Sequence, residues 1–161
     1  MSTAATLTFR RATLADLPSL AALGDEVNAV HHEALPDVFA PPVPGRDEAH
    51  WRDAIGADDA HVAFVAESDG TLVGFVTGRV SDEASPMFVP MLLCHVGTLG
   101  VAAAMRGRGI GHALMALLEG WARERGAVEM HLNVWRFNGG AARLYAELGY
   151  EERSAFMARR L

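Results

Sequence analysis

Arg106-Gly107-Arg108-Gly109-Ile110-Gly111 stands between an apolar run, His95 to Val101, and an amphipathic pattern that begins near Ile110. Glycine permits positive φ and lets an anion approach the backbone. The first-turn N–H groups of a helix lack intrahelical acceptors and point outward with the positive end of its dipole. A glycine-rich turn feeding a helix is therefore suited to hold phosphate, and Arg106 and Arg108 add positive charge. Farther on, Asn138 and Tyr145 lie seven residues apart on one predicted helix. Seven steps of ~100° return within about 20° of the start, so both side chains face one side, about 10 Å apart along the axis. A phenol with its ordinary pKa near ~10 is protonated at neutral pH and can serve as an acid. Asn138 can equally cap its helix, and Tyr145 can equally pack in a core with its hydroxyl bonded locally.

Other phosphate motifs fit less well. A P-loop needs Lys and then Ser or Thr after its last glycine, where this chain has His112 and Ala113. A dinucleotide fingerprint needs G-x-G-x-x-G, of which Gly107 and Gly109 supply two glycines and His112 breaks the third; only Glu129, about twenty residues on, speaks for it. The pattern R-x-x-G-x-G is filled by Arg106, Gly109 and Gly111, although on these six residues alone a purely structural turn stays open. No metal is expected: H-E-x-x-H and paired cysteines are absent, and His31-His32 are adjacent rather than on one helical face.

The elements that must position these groups are legible from period and punctuation. Thr6 to Arg11 reads as a strand, and Thr13 with Asp16 three residues on reads as a helix start, with Leu17, Leu20, Ala21, Leu23 and Val27 recurring at helical spacing toward Val30. Pro36 to Gly45 is a loop, and Asp47 to Ile55 is a short helix. Asp69-Gly70 between Val62 to Glu67 and Leu72 to Val80 predicts a hairpin. Met91 to Val101 is a long strand, and the helix after the glycine loop shows an apolar face of Ile110, Leu114, Leu117, Leu118 and Trp121, ended by Gly126. Val128 to Val134 is a strand, Asn138 to Leu148 a helix stopped by Gly149, and Tyr150 to Ala158 a last strand. The expected class is α/β (α+β), a mixed sheet with helices on its faces.

With 161 residues and 50% apolar content the chain is expected to form a single domain over residues 1–161. No stretch approaches the roughly 18 apolar residues of a membrane span, and Met1 to Phe9 lacks the pattern of a leader, so no membrane partner and a cytoplasmic location are expected. A net charge of −6 argues against nucleic acid, and all 14 basic residues are arginine. Arginines cluster from Arg106 onward and acidic residues in the first half, which suits an anionic cofactor and a cationic acceptor, or simply a solvated acidic surface. Cys94, the only cysteine, sits in the apolar run Met91 to Cys94 and reads as a buried side chain, not a nucleophile.

R-x-x-G-x-G at Arg106 to Gly111, preceded by Thr98 to Val101 and followed by Ile110 to Leu118, resembles the pyrophosphate loop, fourth strand and third helix of the GCN5-related N-acetyltransferases, the GNAT superfamily. Leu132 to Asn138 with Ala141, Leu144, Tyr145, Gly149 and Tyr150 is similar to its fifth strand, fourth helix and sixth strand, and Phe9 to Thr13 with Asp16-Leu17 to its opening. Ala103 departs from the proline of many relatives. The resemblance implies a mostly antiparallel mixed sheet flanked by helices and splayed between strands 4 and 5 near a bulge, to which Gly97 and Gly100 could contribute, although they could equally mark close packing against a helix.

It further implies acetyl-CoA as acyl-donor cosubstrate, bound by Leu99, Val101, Arg106, Gly107, Arg108, Gly109, Ile110, Gly111, His112, Asn138, Ala141 and Tyr145. The activity implied is direct transfer of the acetyl group to a primary amine of a small molecule or peptide, with Tyr145 protonating the departing thiolate and with His31, His32, Glu33 and Phe39 beside the acceptor. Many relatives carry an acidic residue where this chain has Thr98, which leaves the base open: Glu33, His32 or His95 could take the proton of the amine directly or through water, and each can also be structural or solvated. That departure leaves a second reading open, a non-catalytic acyl-CoA sensor. A homodimer is compatible with the resemblance, and no sequence feature establishes one.

Overall fold

The computed structural model describes residues 6–56, 58–83 and 85–161. Five strands form one sheet in the order β1 (Leu7–Arg11), β2 (His61–Ser68), β3 (Thr71–Asp82), β4 (Leu92–Val101) and β5 (Glu129–His131). The first four are antiparallel neighbours and only β4 and β5 are parallel, as expected for a mixed, mostly antiparallel sheet. The predicted hairpin is the β2–β3 connection. Asp69 and Gly70 both have positive φ, 48° and 80°, the conformation of a tight turn whose twist matches that of the strands.

Helices cover both faces. On one lie α1 (Leu17–Ala34) and α2 (Glu48–Ile55), where Leu17, Leu20, Leu23, Trp51 and Ile55 bury against Ala63, Val65 and Phe75. On the other lies α3 (Ile110–Glu124), whose Ile110, Leu114, Met115 and Leu118 pack on Val62, Val76, Cys94 and Val96. Each of these large side chains, fully removed from water, contributes roughly 1.5–3 kcal/mol. The fit is close enough that a Cβ at Gly78 would overlap Leu118. A fourth helix, α4 (Gly139–Glu147), adds Tyr145 to the α3-side core.

Two strand expectations fail. β5 holds three residues instead of the seven from Val128 to Val134, because beyond His131 it diverges from β4 and has no ladder to join. The last predicted strand, Tyr150 to Ala158, has no regular structure. Its sequence offers no face to bury, with Glu151, Glu152 and Arg153 in succession, and Phe156 and Met157 are exposed. The segment is tied by side chains instead, through Arg153–Glu129, Arg136–Glu152 and Arg160–Asp37. No helix among the described residues is long and apolar enough to cross a membrane.

Where α1 begins, Arg10 grips Asp16 with two hydrogen bonds of 2.7 and 2.8 Å, and Thr13 N donates to the same carboxylate at 2.8 Å. Arg10 also reaches Glu67, so one guanidinium fastens β1, β2 and the helix start. The Arg10 bonds are the main reason that the Asp16 carboxyl is held down at about 2, against the desolvation that opposes it. The unfolded carboxylate takes up its proton near ~4 and the folded one only near 2, so between these values the unfolded state binds more protons and stability falls as pH falls. Discounted for the partly exposed arginine, about 1–2 kcal/mol should be lost on acidification from pH 5 to 2. Urea titrations of wild type and Asp16→Asn should show this loss in the former and a flatter profile in the latter.

Candidate functional site

β4 has partners on both edges only over its first half. Leu93, Cys94 and His95 pair with Glu129, Met130 and His131, after which β5 ends and β4 runs on to Val101. From Val96 onward the edge of β4 that faced β5 has no ladder. In the same stretch the register with β3 slips: Val76 pairs with Leu99 and Gly78 with Val96, so Thr77 alone stands opposite Gly97 and Thr98. Two residues against one make a bulge, which re-aims the strand where it parts from its neighbour. Buried Thr77 steadies it, its Oγ1 accepting from Thr98 N at 2.9 Å, and a Cβ at Gly97 would overlap that oxygen.

The free edge leads into the glycine loop. After Val101 a 3₁₀ turn, Ala103–Met105, brings the chain to Arg106, whose Nε donates to Val101 O at 3.1 Å and whose terminal amino groups have no partner among the described residues. Gly107 and Gly109 have φ of 73° and 77°, a left-handed conformation costly to other residues, and nothing lies within 4 Å of the place where either Cβ would stand. Gly109 caps α3, and Ala113 N, bonded to Gly109 O at 3.1 Å, is the first amide of the helix with a helical acceptor. The amides of Ile110, Gly111 and His112 thus face outward beside exposed Arg106 and Arg108, an open cradle for an anion. Leu99 and Val101 turn toward the α3-side core, and Gly111 lies close to Leu144 of α4. His112 is bonded to Glu147 at 3.1 Å, which ties the start of α3 to the end of α4.

On α4, Asn138 caps the helix, its Oδ1 accepting from Ala141 N at 3.1 Å, so both residues are engaged locally. Tyr145 stands beside Tyr150, ring centroids 5.6 Å apart, and burial raises its phenol above the ordinary value. It lies on the α3 side of the sheet.

Of the proposed proton acceptors, His95 lies on β4, whereas His32 and Glu33 are neighbours near the end of α1. Cys94 and Val96 point toward α3, so His95 between them points to the α1 face. Its Nε2 is 3.0 Å from Ser81 Oγ, and desolvation first, then Arg79 and His131, lower its pKa against the pull of Glu83. Glu33 is exposed near the end of α1 and has neither hydrogen bond nor ion pair among the described residues. His31 and His32 donate from Nδ1 to the carbonyls of Val27 and Phe39 at 2.8 and 2.7 Å, since a carbonyl only accepts. Rings of His31, Phe39, Trp135 and Phe137 pack edge to face with centroids 4.8 to 5.3 Å apart, joining the segment after α1 to the one after β5. Cys94 is buried and its thiol is pushed up to about 11, which makes it a poor nucleophile.

Sequence reasoning missed Thr77, Ser81 and His131, because each matters only through a neighbour on another strand. Trp135 and Phe137 were visible as part of a motif, but their contact with His31 and Phe39 was not.

The sequence model of the Acetyltransferase (GNAT) family matches residues 27–150. Among curated relatives, a mycothiol acetyltransferase of Thermobispora bispora is 35% identical over 105 residues, which are 65% of this chain and 33% of that protein. The chain thus spans about a third of the length of that relative. An uncharacterized N-acetyltransferase of Escherichia coli, YjgM, is 27% identical over 88% of this chain and 80% of its own. Among solved structures, a point mutant of the BH1408 protein from Bacillus halodurans superposes with a TM-score of 0.88 at 20% identity, over 96% of this chain and 99% of that one. The aminoglycoside N-acetyltransferase AAC(6')-Iy, solved in complex with CoA, gives 0.73 at 18% identity over 100% and 98%. These likenesses establish the fold.

The bulge makes a prediction independent of any ligand. Thr77→Val keeps the shape but leaves the Thr98 amide without its acceptor, and should cost about 1–3 kcal/mol in a urea titration. Thr77→Ser, which retains the oxygen, should recover most of that loss.

Proposed function

We propose that this chain, which belongs to the Acetyltransferase (GNAT) family, moves an acetyl group from acetyl-CoA to a primary amine of a small molecule or peptide. The observation that carries this reading is that a bulged, unladdered strand edge runs directly into an open glycine cradle at a helix start. An extended ligand with a diphosphate at one end and amides along its length fits that sequence of features, and coenzyme A has this form. The fold shared with an aminoglycoside N-acetyltransferase solved with CoA supports the same reading.

In this reading the amides from Gly107 to His112, with Arg106 and Arg108, hold the diphosphate, and the peptide groups of Val96 to Val101 bond the arm. Bound acetyl-CoA supplies the activated acyl group. Peptide N–H groups on the open edge of β4 beyond the bulge orient its carbonyl, as dipoles already aimed at it can. His95, kept neutral by its surroundings, takes a proton from the acceptor on the α1 face. Tyr145, kept protonated by burial, gives one from the α3 face. The two proton-handling groups thus approach the gap between β4 and β5 from opposite sides. Asn138 and Ala141, bonded to each other, act by holding the start of α4 at the gap. The aromatic rings around His31, with Glu33 and His32 beside them, line the acceptor side.

Thiol release from acetyl-CoA in the presence of polyamines, aminoglycosides, amino acids and peptide amines tests the reading. Amine-dependent release supports it, whereas tight binding of acetyl-CoA with no release across the panel would point to a sensor. Gly109→Val, which puts a side chain into the cradle, should weaken CoA binding about tenfold or more in calorimetry with the fold intact by circular dichroism. Tyr145→Phe should lower kcat by on the order of 100-fold and leave CoA affinity unchanged.

A further inference from the structure

The α1 face of the sheet carries a polar stripe that crosses three strands. Register places Arg79 of β3 opposite His95 of β4, and His95 opposite His131 of β5. Ser81, two residues along from Arg79, is bonded to His95 Nε2 at 3.0 Å. The His95 and His131 rings stand perpendicular with centroids 6.0 Å apart. His131 Nε2 is in turn 2.8 Å from Glu129 Oε2, and Arg153 clamps that carboxylate with bonds of 2.7 and 3.1 Å. The stripe begins two residues before the bulge at Gly97, and Gly97 lies on the same face as His95.

The two imidazoles differ in what holds them. His131 has a carboxylate on its ring nitrogen, and Arg153 fixes the position of that carboxylate. His95 has a neutral hydroxyl. The charged and titratable groups that face His95 are Arg79 from β3, Glu83 just beyond β3, and His131 from β5, and the first and last of these disfavour a proton on it. Two rings this close resist taking a proton each, and a carboxylate hydrogen bond favours the charged form of the ring that has it.

We infer that His131 is a positioning residue for the base: gripped by Glu129 and Arg153, it carries the proton of the imidazole pair and leaves His95 free to accept one from the amine. The inference rests on the acetyl-transfer reading, with His95 as base. It gives a role to a residue beyond the three at which β5 ends: Arg153, in the segment without regular structure, acts through Glu129 on the ring beside the reactive one. The proton passes from the ammonium form of the acceptor to a ring nitrogen of His95 and from there to solvent, because the two rings resist holding a proton each; none leaves His131 in that step.

The test uses two substitutions of opposite electrostatic sense, His131→Gln and His131→Lys, in the full chain. Titration of the His95 ring protons by NMR needs no substrate. The midpoint should move upward in His131→Gln, which lacks the like charge, and stay near or below the wild-type value in His131→Lys. With an active amine from the panel, kcat/KM of His131→Gln at pH 6 should fall about threefold, the factor that a like charge 6.0 Å away gives under water-like screening. At pH 8.5 it should match wild type, and His131→Lys should restore the profile. A merely structural role would depress both variants at every pH. An identical His95 midpoint in all three proteins overturns the inference, as does a pH profile that the substitutions leave unmoved. Absence of amine-dependent turnover in wild type, with CoA bound, overturns the acetyl-transfer reading itself, and the NMR titration still reports on the pair.

Discussion

A parallel ladder that stops after three residues leaves the second half of β4 with one row of peptide groups unpaired, next to a gap. Buried or half-buried N–H and C=O groups need partners, and no other segment of the described chain supplies a strand here. The bulge at Gly97 and Thr98 directs that edge away from β5, and Thr77 meets the amide that the bulge itself orphans. The glycine loop at the end of the same strand then presents a second set of free amides. Two sets of unpaired peptide groups thus follow in succession, one along a strand and one at a helix start, and the proposed reading rests on them.

The gap also divides the chemistry between two faces. Toward α3 the surroundings are apolar and closely packed, which keeps a phenol protonated and a thiol inert. Toward α1 the same strands carry Arg79, Ser81, His95, Glu129 and His131, a polar stripe half open to water. Alternation along one strand, with Cys94 and Val96 on one side and His95 on the other, is enough to separate an apolar environment from a polar one.

Much of the architecture was legible because it is written in local periodicity and in glycines. The Asp69-Gly70 turn, the cap at Gly109 and the apolar face of α3 depend on residues within a few positions of one another, and each appears where local pattern puts it, except that Leu117, expected on that face, is exposed and Met115 is buried instead. The expected last strand is absent because Tyr150 to Ala158 has a strand-like composition only in part, and a strand exists only if an edge accepts it. For Asn138 the helix cap, one of two readings open from sequence, is realised in the structure. The alternative of close packing at Gly97 and Gly100 is met in part: Gly97 lies against Thr77 within the bulge, and Gly100 against Phe75 and Val27 of α1.

By itself the sequence determined the order of elements as far as α4, the phosphate-suited loop and the family to which these motifs point, since turn chemistry and amphipathic period act over short stretches of chain. Tertiary structure alone decided where β4 loses its neighbour, that Thr77 props the bulge, and that His95 meets Ser81 on one side and His131 on the other. Those facts join residues 14 to 36 positions apart, and pairing register, which sets such distances, is fixed by the packing of whole strands and not by the identity of any one residue.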